Sequence, residues 1–149
     1  MIKVFILALT LLLSGCINHQ ATIHADAGGF LNPDSNNHSK PIVISLYELT
    51  KPYPFKQVSY NTLTTNIESA LGETLIDYKT FEIRPNETKT LSIKLPSDMN
   101  YLGITAGFHH LSISQWRETL FIHPNYKQAI INIHVDSNHV HAHLTETYL

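Results

Sequence analysis

The alternation of apolar and polar residues predicts the framework of this chain. From Gln20 onward the pattern mostly has a period of two, which is typical of strands with one buried face. Residues 41–49 give the strongest strand prediction, because their β-branched side chains suit a pleated sheet. Seven other segments fit short strands bounded by turn residues: 20–25, 75–84, 90–95, 101–110, 116–123, 129–136 and 139–147. Eight short strands without alternating helices predict a mainly β fold, an antiparallel β-sandwich.

One segment departs from this pattern and predicts a small helical insertion at about residues 54–72. Leu63, Ile67 and Leu71 recur at the spacing of one face of a helix. Gly72 follows at the position where a glycine commonly ends a helix. We therefore expect a helical piece between the second and third strands of the sandwich.

The first sixteen residues, MIKVFILALTLLLSGC, have the organisation of an export signal. Lys3 gives a positive start, and an uncharged apolar run follows it. A helix of ten residues rises only about 15 Å, half of the ~30 Å hydrocarbon core of a membrane. This run is therefore interpreted as the core of a signal peptide. Leu13-Ser14-Gly15-Cys16 resembles a lipobox, which implies cleavage before Cys16 and lipidation of its thiol.

The lipobox resemblance divides the chain and predicts its location. Residues 1–15 are expected to be a cleaved lipoprotein signal peptide, and residues 16–149 a single periplasmic β-sandwich domain. Ile17 follows Cys16, where an aspartate would resemble an inner-membrane retention signal. We therefore expect a lipid-anchored protein of the outer membrane that faces the periplasm. Acyl chains contribute about 0.8 kcal/mol per buried CH2, so this anchoring is effectively permanent.

Composition excludes several classes of function. Cys16 is the only cysteine, so no disulfide forms within the chain, and the 43% of apolar residues must supply the core. Loss of Lys3 with the signal peptide changes the formal net charge from −2 to −3. Such a weak negative charge gives no electrostatic footprint for nucleic acid. The sequence has no G-x-S-x-G, no glycine-rich phosphate loop and no H-E-x-x-H motif. We therefore predict no catalytic residue, no enzyme activity and no cofactor.

Histidine is the unusual feature of the composition, with ten residues. A two-residue turn at Ser137-Asn138 would place His134 opposite His141 on a hairpin. The four histidines that then share one strand face are His134, His139, His141 and His143. Imidazole is a common zinc or copper ligand, so a periplasmic metal-binding lipoprotein is the alternative function. No carboxylate or thiol obviously completes a ligand shell, so a polar solvent-exposed face is the simpler interpretation.

Several segments, taken in order, carry a resemblance to a known family. They are the lipobox, Leu31-Asn32-Pro33-Asp34, Leu46-Tyr47-Glu48-Leu49, Phe55, Leu71-Gly72, the turn at Pro85, Tyr101-Leu102-Gly103-Ile104-Thr105-Ala106 and Trp116-Arg117. Over roughly residues 13–136 the chain resembles the TssJ outer-membrane lipoproteins of type VI secretion systems. The resemblance implies a transthyretin-like β-sandwich with an added helical piece. It also implies a role without catalysis, in which the lipoprotein binds the periplasmic domain of an inner-membrane subunit, TssM.

The same resemblance implies where the partner binds. In the family, the loop between the first two strands contributes to the contact, and here that loop corresponds to about residues 26–40. The candidate partner-binding residues are Leu31, Asn32, Pro33, Asp34, Ser35 and Asn36.

Overall fold

The structure, a computed structural model, describes residues 19–124, 126 and 128–147. The predicted signal peptide and Cys16 lie outside these residues. Within the described part, eight strands form two four-stranded sheets, which pack face to face and confirm the predicted fold class. The strands are β1 Gln20–Ala27, β2 Ile42–Leu49, β3 Leu75–Ile83, β4 Thr88–Lys94, β5 Tyr101–Ala106, β6 Arg117–Phe121, β7 Gln128–Val135 and β8 Val140–Thr147.

The two sheets differ in the direction of one strand pairing. The first sheet has the order β4-β1-β7-β8 and the second β3-β2-β5-β6. Every pairing between these strands is antiparallel except that of β1 with β7, which is parallel. The last hairpin has the register expected from its turn, with Val135 opposite Val140 and His134 opposite His141.

The core lies between the sheets and follows from the two-residue period of the strands. Ile23, Ile44, Ile104 and Ile131 are fully buried and come from four different strands. Burying one such side chain stabilises a fold by about 1.5–3 kcal/mol. The remaining buried apolar residues of the sandwich extend this core as one contiguous cluster. Because a single cysteine cannot form a disulfide within the chain, apolar packing stabilises the fold.

The predicted helical insertion is present, but it consists of two short helices. They are Tyr60–Thr65 and Ile67–Leu71, followed by a 3₁₀ turn at Gly72–Thr74. The Ser59 side chain caps the first helix by accepting a hydrogen bond from the backbone N–H of Thr62 at 3.2 Å. Asn66 lies between the helices and accepts one from the N–H of Ser69 at 3.4 Å. Gly72 ends the second helix at φ 51°, the conformation that favours glycine.

The insertion covers the outer face of the second sheet. Phe55, Leu63 and Leu71 pack there on Tyr47 and Leu49, and all five side chains are buried. The outer face of the first sheet, in contrast, carries mostly exposed polar side chains.

The strand directions define two opposite ends of the sandwich. β1 starts at the end formed by His19 and residues 95–100, 122–124 and 126, which we call the N-terminal end. It finishes at the end formed by residues 28–41, 84–87, 107–116 and 136–139, which we call the loop end. Among the described residues, no helix is long and apolar enough to cross a membrane.

Candidate docking surface and histidine face

The loop between β1 and β2 is fastened to the loop end of the sandwich. The N–H of Gly28 donates to the carbonyl of Val135 at 2.8 Å, which continues the sheet pairing beyond β1. The N–H of Lys40 donates to the carbonyl of Leu31 at 2.9 Å and closes the loop on itself. The backbone of residues 31–40 therefore has a defined path over the end of the core.

Two of the predicted partner-binding residues are buried and hold this loop in place. Leu31 is fully buried in the core, and Asn32 is 3% exposed. The Asn32 Oδ1 accepts from the N–H of His109 at 2.8 Å, and its Nδ2 donates to the carbonyl of Pro41 at 3.1 Å. These two residues therefore hold the loop in place, and the other four predicted contact residues offer more surface to a partner, while Asn32 also lines the groove described below. The sequence could not separate the buried from the exposed members of this loop.

Asp34 organises the exposed part of the loop. Its carboxylate accepts from the backbone N–H groups of Asn36 and His38, both at 2.9 Å, and lies 3.2 Å from the Lys40 ammonium. These contacts, led by the His38 N–H, lower the pKa of Asp34 to about 2. Ser35 and Asn36 stand at the tip of this turn and are exposed.

A groove with exposed apolar side chains lies beside this turn, and it was not predicted from the sequence. Phe30 and Ile113 are 52% and 70% exposed, although each is a large apolar side chain. Together with Pro33, His110 and Asn138 they line a shallow cavity of about 200 Å³, which we call the loop-end groove. Residues 111–113 form a 3₁₀ turn that carries Ile113 outward. The groove joins the β1–β2 loop to a second segment, residues 107–116, that no local sequence pattern links to it.

The predicted histidine face is present on the outer side of the first sheet. His134 and His141 are opposite one another on β7 and β8, and His143 follows on the same side of β8. The rings of His141 and His143 have centroids 6.4 Å apart. His24 on β1 belongs to the same face, because it is paired with Asn132, which is paired in turn with His143.

Carboxylates accompany three of these histidines, and two of the three acids come from outside the hairpin. His134 Nδ1 lies 2.5 Å from Asp26 Oδ2, and His141 Nδ1 lies 3.6 Å from Glu118 Oε1. His139, beside the hairpin turn, has its Nδ1 3.6 Å from Asp136 Oδ1. Asp26 comes from β1 and Glu118 from β6, so the fold alone brings these acids to the histidines.

These groups do not converge on a metal position. In the part of the chain that the structure describes, no group of three or more His, Cys, Asp or Glu side chains could hold a metal ion. The four weak metal candidates, His134, His139, His141 and His143, are therefore spread along a polar face, and the first three of them have separate acid partners. Cys16, the predicted lipidation site, lies outside the described residues.

Comparison with known proteins gives one family match. The T6SS-SciN family model, described as type VI secretion lipoprotein, VasD, EvfM and TssJ, matches residues 19–143. No curated protein matches the chain.

Solved structures share the fold. The crystal structure of the type VI lipoprotein TssJ1 from Pseudomonas aeruginosa is 25% identical, with a TM-score of 0.82 over 88% of this chain and 99% of that one. Serratia marcescens Lip, described as a membrane-bound component of the type VI secretion system, is 21% identical, with a TM-score of 0.79 over 85% and 98%. A chain in a structure described as the TssM C-terminal domain from EAEC is 18% identical, with a TM-score of 0.67 over 87% and 98%.

Proposed function

The chain belongs to the family of type VI secretion lipoproteins, and on this premise we propose that it is the outer-membrane lipoprotein subunit of a type VI secretion membrane complex. In this proposal Cys16 carries the lipid, the domain stands in the periplasm, and the loop end docks the periplasmic domain of an inner-membrane TssM-like subunit. The role is assembly without catalysis.

The placement of the two ends of the sandwich carries the proposal. Cys16 precedes His19 by three residues, which span at most about 11 Å of extended chain. The N-terminal end of the sandwich is therefore held close to the acyl chains. β1 has eight residues, a length of about 26 Å, and leads directly to the loop end. The β1–β2 loop accordingly points away from the membrane that holds the lipid, toward the periplasm.

The surface at the loop end suits a protein partner. Phe30 and Ile113 supply an exposed apolar centre, and the polar tip at Ser35 and Asn36 supplies hydrogen-bonding groups beside it. Protein interfaces combine an apolar core with a polar rim in this way. A chain with the present fold also occurs in the structure described as the TssM C-terminal domain, which supports a partner of this kind. The contact surface that we propose is Phe30, Pro33, Asp34, Ser35, Asn36 and Ile113.

The proposal assigns no catalytic residue. Glu48 is the buried carboxyl side chain of the described chain, at 5% exposure. Its Oε1 lies 3.5 Å from the Lys79 ammonium, and burial raises its pKa. The proposal gives this paired, enclosed carboxyl group a structural role.

A pair of matched variants tests the docking surface. Phe30 and Phe121 are both 52% exposed, but Phe30 lies at the loop end and Phe121 finishes β6 at the N-terminal end. Phe30→Ser should weaken binding of the partner's periplasmic domain at least tenfold in calorimetry, because apolar anchors dominate such contacts. Phe121→Ser should leave the affinity unchanged. Equal affinity for both variants and the parent would place the interface elsewhere.

A further inference from the structure

A second cavity opens at the N-terminal end of the sandwich, opposite the proposed docking surface. It has a volume of about 350 Å³, within the range of small-molecule sites in proteins. Met99, Ile122 and Tyr126 line it and are at most 5% exposed, so its inner wall is apolar and belongs to the core. His19 and Lys94 line it as well, and they bring polar and cationic groups to the same space.

Backbone hydrogen bonds fix the walls of this cavity. The N–H of Leu95 donates to the carbonyl of His19 at 2.8 Å, and the N–H of Met99 donates to the carbonyl of Pro96 at 3.0 Å. On the opposite side the N–H of Tyr126 donates to the carbonyl of His123 at 3.1 Å. Two closed turns therefore frame the opening, and the cavity exists before any ligand enters.

The length of the chain that precedes His19 determines what this cavity faces. Only Cys16, Ile17 and Asn18 separate it from the predicted lipid, and three residues span at most about 11 Å. A residue of the cavity wall is thus tethered within headgroup distance of the leaflet that holds the acyl chains. The covalent anchor therefore keeps the cavity next to membrane lipids at all times, whereas a soluble ligand would have to reach it by diffusion.

The charge of the lining selects among the molecules of a membrane surface. Lys94 is exposed and cationic, and His19 stands beside it in the lining. None of the described residues that line the cavity is acidic, and Asp98 of the adjoining turn is not among them. An apolar interior with a cationic opening is complementary to a phosphodiester attached to a hydrocarbon chain. A zwitterionic headgroup carries a cationic group of its own beside the phosphate. Repulsion between this group and Lys94 makes its binding weaker than that of an anionic headgroup.

We infer that this cavity binds the headgroup phosphate of an anionic phospholipid, such as phosphatidylglycerol, in the leaflet that holds the acyl chains of the protein itself. The inference rests on the proposed function in one respect, since it requires lipidation at Cys16. Occupation of the cavity would fix the tilt of the sandwich on the membrane and aim the loop end at the partner.

Native mass spectrometry of the full-length lipidated protein tests this. The protein is reconstituted in vesicles of phosphatidylcholine with or without phosphatidylglycerol, released, and weighed with the phospholipid that it retains. We expect one retained phosphatidylglycerol in preference to phosphatidylcholine. Lys94→Gln should reduce this preference about fivefold, the effect of one lysine near an anionic surface. Ser97→Glu, a charge added at an exposed lining position, should abolish it.

The control is Lys56→Gln, which removes the same charge from an exposed position outside the cavity lining and should retain phosphatidylglycerol like the parent. Equal retention by Lys94→Gln, Lys56→Gln and the parent would overturn the inference. Displacement of the phospholipid by millimolar inorganic phosphate would also overturn it, because the site would then bind free phosphate. Failure of lipidation is visible beforehand, as protein that does not sediment with the vesicles.

Discussion

The side chain of Asn32 is expected to stabilise the fold by holding the β1–β2 loop. Asn32→Ala removes the acceptor of the His109 N–H, at 2.8 Å, and the donor to the Pro41 carbonyl, at 3.1 Å. Each partner left unsatisfied in a partly buried position costs about 1 kcal/mol, the low end of the usual range. Asn32 also has φ 42°, where an alanine costs on the order of 1 kcal/mol more than an asparagine. The expected loss is about 3 kcal/mol, a large part of the ~5–15 kcal/mol that stabilises a typical domain.

Urea unfolding followed by circular dichroism measures this loss. The matched control is Asn36→Ala, which changes an exposed asparagine of the same loop and should alter the free energy of unfolding by less than about 0.5 kcal/mol. If Asn32→Ala had the same free energy of unfolding as the parent, the reasoning would be refuted.

Three further predictions concern the anchor and two carboxyl groups. Cys16→Ser should incorporate no fatty-acid label in cells, and label in the variant would refute the lipobox. Asp34 has a folded pKa of about 2, so its carboxylate stabilises the fold above the usual pKa of 3.8 and this stabilisation is lost as the pH falls toward 2. Asp34→Asn should therefore lower the urea midpoint at pH 7 more than at pH 2. Burial raises the pKa of Glu48 from 4.5, so its ionisation costs stability as the pH rises above that value. The urea midpoint of Glu48→Gln should therefore rise relative to that of the parent as the pH increases from 4.5 to 7. A difference in midpoint that does not change with pH would contradict this.

The strands were predictable from the sequence because their period is local. Every predicted strand is present, with shifts at its limits. The largest error concerns residues 101–110, where β5 ends at Ala106. The next N–H, that of Gly107, donates to the Val43 carbonyl, and the chain then leaves the sheet. Phe108 is nevertheless buried, because it closes the loop end of the core. The apolar composition of this segment indicated correctly that it is buried. A buried residue such as Phe108 can, however, lie outside a strand.

The candidate sites were predictable only where one local pattern defines them. The hairpin histidines follow from a two-residue turn, so His134 and His141 were placed opposite one another correctly. Their acid partners, Asp26 and Glu118, come from strands that meet the hairpin only in the folded chain. Phe30 can be recognised in the sequence as an apolar residue in a polar loop. Its groove, however, is completed by His110 and Ile113, which are distant in the sequence. Long-range pairing is the information that a single sequence does not provide.

The position of β1 within its sheet also matters to the proposed role. β1 is an inner strand, with β4 antiparallel on one side and β7 parallel on the other. In the proposed complex, a pull between the lipid and a partner at the loop end acts along β1. The hydrogen bonds to both neighbours lie across the strand, so this pull loads many of them together. An edge strand peeled from its end would lose its bonds one after another. The connection between anchor and docking surface therefore runs through an inner strand that is hydrogen-bonded on both sides.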